Sequence, residues 1–211
     1  AKLSLTKFME EKDIPQHIRA TSENVSDMQN YDGGIGTAPG NPSDPYVTAL
    51  VLIVAKDKFN LESMASYVET TLANTRDPKT KASCYLGLAV IGKPVGDELR
   101  KLIEKEDTDE YLRAYCIAGL AYLEETEDAL RYYETYITPN MVQNGDSCYY
   151  KGNDSTTGAV WVAASRLGLA DADGISIHYA SNRWRIGSLF ECMVYITHYD
   201  KEVEQRGFTY N

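Results

Sequence analysis

No stretch of this chain is long and apolar enough to cross a bilayer. The longest apolar run, Tyr46 to Ala55, spans ten residues, about half of what a spanning helix needs. No signal peptide is visible in this sequence, where Ala1-Lys2-Leu3-Ser4-Leu5 leads straight into a charged amphipathic stretch, and any targeting sequence upstream would not show here. Positive charge is in deficit: 21 Lys and Arg stand against 31 Asp and Glu, a formal net charge of -10. Such a chain repels phosphate backbones, which disfavours nucleic-acid binding and docking on anionic membranes. Cysteine is scarce, with four in all, and their spacing matches no zinc knuckle. Cys84 and Cys116 fall inside apolar helical runs and read as buried thiols, with disulfides as the alternative.

Chemical signatures are missing too. There is no P-loop, no dinucleotide fingerprint, no nucleophile elbow and no His-Glu-x-x-His pair. Asp171-Ala172-Asp173-Gly174 lacks the further acids of an EF-hand loop and reads as a helix start. Long alternating strand patterns are absent.

What the sequence does contain is a repeat. Ala82-Ser83-Cys84-Tyr85-Leu86-Gly87-Leu88-Ala89 returns 32 residues later as Ala114-Tyr115-Cys116-Ile117-Ala118-Gly119-Leu120-Ala121, with five of eight positions identical. A period of this size means that one supersecondary unit is being stacked. The unit reads as two unlike helices. One is apolar nearly all round, at Tyr46 to Ala55, Ala82 to Ile91, Tyr111 to Leu123 and Ala159 to Leu169. Such a helix must be buried on all sides. Its partner is amphipathic: Leu61, Met64, Ala65, Val68 and Leu72 form one stripe, as do Val95, Leu99, Leu102 and Ile103, and then Leu130, Tyr133 and Ile137.

Punctuation agrees. Asp44-Pro45 and Asp77-Pro78 supply caps followed by a proline at the first helical position. Asp107 or Thr108 is expected to cap the third apolar helix, and Asp154 or Ser155 the fourth. Short links such as Gly92-Lys93-Pro94 predict antiparallel neighbours. Residues 31–43 and 138–153 read as loops. With 43% apolar residues over 211, the whole chain, 1–211, is read as a single all-α domain. Its inner apolar and outer amphipathic helices suit a closed ring of antiparallel hairpins, completed by the N-terminal stretch and the segment Trp184 to Tyr199. An open α-solenoid is the alternative.

The loop before the first apolar helix reads Tyr31-Asp32-Gly33-Gly34-Ile35-Gly36, followed by Asp44-Pro45-Tyr46-Val47-Thr48-Ala49. It resembles the Gly-rich repeat of the α/α-toroid superfamily, which includes prenyltransferase β-subunits, terpenoid cyclases and the thioester domains of α2-macroglobulin and complement proteins. The later texture is similar to toroid repeats of large bacterial surface proteins. The resemblance implies a toroid fold. It also makes Asp32, Gly33, Gly34 and Gly36 a possible ligand-facing loop. No Gly-Cys-Gly-Glu-Gln thioester segment and no Asp-x-Asp-Asp run is present. The zinc site of the prenyltransferase branch would fall on Asp146 and Cys148, with His178 or His198 downstream. The favoured expectation is a non-catalytic toroid module with no cofactor, part of a larger, exported bacterial surface protein with a structural or protein-binding role. The missing initiator Met fits an excised piece, and a cytoplasmic location stays open. The alternative is a zinc-dependent prenyltransferase-like or terpenoid-cyclase-like enzyme. Tyr132, Tyr133, Tyr149, Tyr150, Trp161 and Trp184 could line a cleft or simply pack, and Trp184 lies in a locally basic patch.

Overall fold

A computed structural model describes residues 25–152 and 154–181. Expectations that fall on the N-terminal stretch, on Trp184 to Tyr199, on Cys192 and on His198 lie outside the described residues. The described protein is mostly helical, with one small two-stranded sheet. After a short 3-10 turn at Val25–Met28 come α1 (Pro45–Ala55), α2 (Leu61–Asn74), α3 (Pro78–Val90), α4 (Gly96–Glu104), α5 (Glu110–Tyr122) and α6 (Thr126–Tyr132). The strands β1 (Met141–Asn144) and β2 (Ser147–Tyr150) follow, then α7 (Asp154–Leu167) and α8 (Ala170–Ser181).

The helices sort into two layers, as their composition requires. In α5, Ala114 to Ala121 are buried without a break, and in α7 so are Thr156 to Ala164. In α3, Leu86 to Val90 are buried together. A run of that length covers every side of a helix. By contrast α2 buries Met64, Ala65 and Val68, and α4 buries Gly96, Leu99 and Ile103, one stripe each. Each large apolar side chain taken fully out of water adds about 1.5–3 kcal/mol, and here most of that gain sits in the inner layer.

Inner helices pack on one another in sequence order, α1 on α3, α3 on α5 and α5 on α7. They run in the same direction. Lys79 and Tyr111, near the starts of α3 and α5, meet in a cation–π contact at 6.0 Å. Ala89 and Gly119 meet near their ends. At the ends of α5 and α7, Arg166 Nε donates to the Ala121 carbonyl at 3.4 Å. Outer helices run back: Arg113 at the start of α5 donates to the carbonyls of Ile103 and Lys105 at the end of α4, at 3.0 Å each. The repeated glycine sits at a close approach in both repeats, against the inner helix α1 at Gly87 and against the outer helix α4 at Gly119. A Cβ on Gly87 would stand 3.1 Å from Leu52, and one on Gly119 would stand 2.9 Å from Leu99.

Similar devices set several of the helix ends. Asp44 and Asp77 cap α1 and α3, as the sequence suggests. Asp109, rather than Asp107 or Thr108, caps α5, accepting from the amides of Tyr111 and Leu112. The helix α7 already includes Asp154 and Ser155, so both lie one step inside the expected boundary. At the far ends, Gly92, Glu124 and Gly168 all adopt positive φ, 75, 64 and 68°. In each case the next amide donates back across the last turn: Lys93 to Leu88, Glu125 to Leu120 and Leu169 to Ala164.

Three further differences have physical reasons. The stripe through Tyr133 and Ile137 is π-helical, Tyr133–Ile137, a widened turn that lets both side chains reach the core. Leu61, at the first turn of α2, stays 39% exposed instead of closing the stripe. The expected loop 138–153 contains the β1–β2 hairpin, pairing Asn144 with Ser147 and Met141 with Tyr150.

Candidate functional site

The Gly-rich loop is a small clasp. Gln29 and Ile35 form an antiparallel bridge around a tight turn. Gly33 donates to the Asn30 carbonyl at 2.9 Å, and Gly36 to that of Met28 at 3.1 Å. Gly34 donates to Asp32 Oδ1 at 3.0 Å, and Ile35 to Thr48 Oγ1 at 2.9 Å. Four successive amides are therefore spent inside the fold, where an anion-binding nest would leave them pointing outward. Residues 33–36 are buried, while Asp32 is exposed but also accepts from Ser43 Oγ at 2.6 Å. The glycines are steric necessities. A Cβ on Gly33, whose φ is +90°, would lie 2.1 Å from the Ser63 carbonyl, and one on Gly34 2.5 Å from Ser43 Cβ. Gln29 ties the clasp to α2, donating to Asn60 O at 3.0 Å and accepting from Asn60 N at 2.9 Å. Tyr31 alone stands clear at the tip, fully exposed at 106%.

The candidate zinc pair differs in exposure. Asp146 sits exposed in the hairpin turn, whereas Cys148 is 1% exposed and faces α8. Its thiol donates to the Asp171 carbonyl at 3.5 Å, and a Cβ on Gly174 would lie 2.6 Å from Sγ. Burial pushes the thiol up to about 12, and Asp171 adds to the shift. A zinc ligand needs room for the ion, and the Cys148 Sγ is packed against Asp171 and Gly174 of α8. These residues do not fit the metal. His178 stacks on Tyr149, centroids 4.8 Å apart, and His198 lies outside the described residues. Among the described residues, no group of three or more His, Cys, Asp or Glu is arranged to hold a metal ion.

Other residues that drew attention in the sequence are packed. Tyr132, Tyr133, Tyr150 and Trp161 are buried. Tyr133 donates to Asp171 Oδ2 at 2.9 Å, and burial raises its phenol well above the usual range. Cys84, Cys116 and Cys148 are free and buried, and burial pushes Cys84 up to about 12. Asp171 and Asp173 lie in the first turn of α8, as expected.

Sequence reading missed the polar joints. Arg100 of α4 donates to Asp128 of α6 at 2.6 Å, to Asp97 at 3.1 Å, and to Glu125. Asp128 is held below the usual carboxylate range by Arg131 first and Arg100 second. Arg100 had no signal beyond being a cation in an acidic helix pair. Two grooves lie among the described residues. One, of about 480 Å³, lies between α7 and α8 beside Trp161, Leu169 and Asp173. The other, of about 550 Å³, runs beside α2 over Leu61, Ala65 and Ile91. Neither gathers a nucleophile with a base.

The fold and its packed polar groups define a mostly helical protein of repeated helix pairs. Comparison with protein-family models, curated proteins and solved structures gives no match. No described helix is long and apolar enough to cross a membrane.

Proposed function

We propose that this chain is a non-catalytic α/α-toroid-type module of a larger, exported bacterial surface protein, with a structural or protein-binding role. One observation carries the reading: the groups that looked chemical in the sequence are consumed by packing. Four loop amides are bonded within the clasp, and the Cys148 thiol is shut against α8. A parallel inner layer backed by returning outer helices supports the toroid side of the proposal, and the acidic balance suits a protein partner more than nucleic acid.

Small-angle scattering on the 211-residue chain tests the architecture. A compact profile with a radius of gyration near 17 Å is expected for a closed domain of this size, from the ~2.2·N^0.38 scaling. An elongated profile would favour the open solenoid. Metal analysis tests the non-catalytic role. One bound zinc per molecule, lost on Cys148→Ser, would overturn it. Protease shaving of intact source cells tests the location, and protection of the protein there would count against export.

A further inference from the structure

The described residues include three pairs in which Asn or Asp precedes glycine: Asp32-Gly33, Asn144-Gly145 and Asp173-Gly174. Glycine lets the following backbone nitrogen swing onto the carbonyl of the preceding side group, because no Cβ blocks the approach. Whether it does so depends on what that nitrogen and that side group are already doing. In Asp32-Gly33 the amide donates to Asn30, and Gly33 is wedged against Ser63. In Asp173-Gly174 the amide lies inside α8 and belongs to its ladder, with Gly174 pressed on Cys148.

Asn144-Gly145 differs on every count. It occupies the tip of the β1–β2 hairpin, and both residues are exposed. Gly145 takes the first central position of the two-residue turn with φ 61°, as a type II′ turn requires. Its N–H lies outside the ladder and makes no hydrogen bond among the described residues, and a Cβ there would find nothing within 4 Å. Among the same residues the Asn144 carboxamide is equally unengaged. The Asn144 backbone is held by its pairing with Ser147, whose Oγ also donates to the Asn144 carbonyl at 3.0 Å.

We propose that Asn144 is a self-modification site, converting through a cyclic imide to aspartate and isoaspartate. The Gly145 nitrogen attacks Asn144 Cγ. A new bond between that nitrogen and Cγ closes a five-membered ring, the Cγ–Nδ2 bond breaks, and ammonia leaves with the Gly145 amide proton. Water then opens the ring at either carbonyl. The direct product adds a carboxylate next to Asp146. The isoaspartyl product also inserts a methylene into the backbone and breaks the Asn144–Ser147 register, loosening the hairpin that presses Cys148 on α8. The site is independent of the toroid reading.

The test ages the full-length protein at mildly alkaline pH, then maps amide-to-acid mass gain and isoaspartate by peptide mass spectrometry. Conversion is expected at Asn144, with the Asp32 and Asp173 peptides unchanged, and it is expected to vanish in Asn144→Gln. A sample aged in denaturant should isomerise Asp32 and Asp173 as well, but far more slowly than it converts Asn144, because at this pH each is a carboxylate that must be protonated before its oxygen can leave as water. An Asn144 peptide that stays intact in the native protein while reacting in denaturant would overturn the proposal. So would native conversion at Asp32 or Asp173 as fast as at Asn144.

Discussion

The Thr48 hydroxyl accepts the Ile35 amide at 2.9 Å, and both residues are fully buried. The same hydroxyl donates to the Asp44 carbonyl at 2.8 Å, joining the clasp to the first turn of α1. An equivalent joint recurs in the first turn of α7, where Thr157 Oγ1 accepts the Tyr150 amide at 3.1 Å. Replacing either threonine by valine keeps the shape and strands a buried N–H. Thr48→Val and Thr157→Val are each expected to cost about 1–3 kcal/mol in urea unfolding. Thr48→Ser should recover most of the loss, and a neutral Thr48→Val would refute the joint.

Glycines of the loop should not be equivalent. Gly40 has φ +80° but open space around it, so Gly40→Ala should cost only the left-handed penalty, about 1–2 kcal/mol. Gly33→Ala meets the Ser63 backbone as well and should lose a further ~1–3 kcal/mol. Thermal melts of the two variants side by side measure the difference, and equal melting points would contradict the packed clasp.

Glu124 occupies a glycine's position. Its φ of 64° matches those of Gly92 and Gly168 at the ends of α3 and α7. Glu124→Gly is therefore expected to raise stability by about 1 kcal/mol, a gain visible as a higher urea midpoint at unchanged slope. A loss instead would mean that the Glu124 side chain does something the geometry does not reveal.

Buried thiols predict an alkaline limit. Cys84 and Cys148 are raised by burial from an ordinary 9.0 to about 12. Because their folded pKa lies above the unfolded one, their contribution is whole below pH 9. It is lost as pH rises from about 9 to about 12, where the unfolded protein releases protons first. Urea titrations across that window should show falling stability, less steeply in Cys84→Ala after correction for its lower baseline. At pH 8 a thiol reagent should modify these residues only after unfolding, and rapid native labelling of Cys148 would be the contrary result.

The layered design was legible because periodicity and burial speak the same language. Helices such as Ala82 to Ile91 carry no polar face, so their interior position follows from composition alone. Asp44 and Asp77 were readable because proline marks the next residue. Asp109 was not, since Glu110 follows it and three nearby residues can cap equally well. The hairpin had its signal in Asn144-Gly145, but its four-residue strands are too short to show alternation. The loop glycines were recognisable as special, yet their purpose was not. Only partners far along the sequence, Ser63 and Thr48, show that the backbone is wedged there and not offered to a ligand.

Because the inner helices run the same way, their peptide dipoles add where an alternating bundle would cancel them. The layer thus has a positive rim and a negative rim. Asp44, Asp77 and Asp109 cap helices at the first, while Lys56 and Arg166 reach the carbonyls of Val90 and Ala121 at the second. Taken by itself the inner layer is electrically polar along its axis, and the outer helices, running back, set opposing dipoles against it.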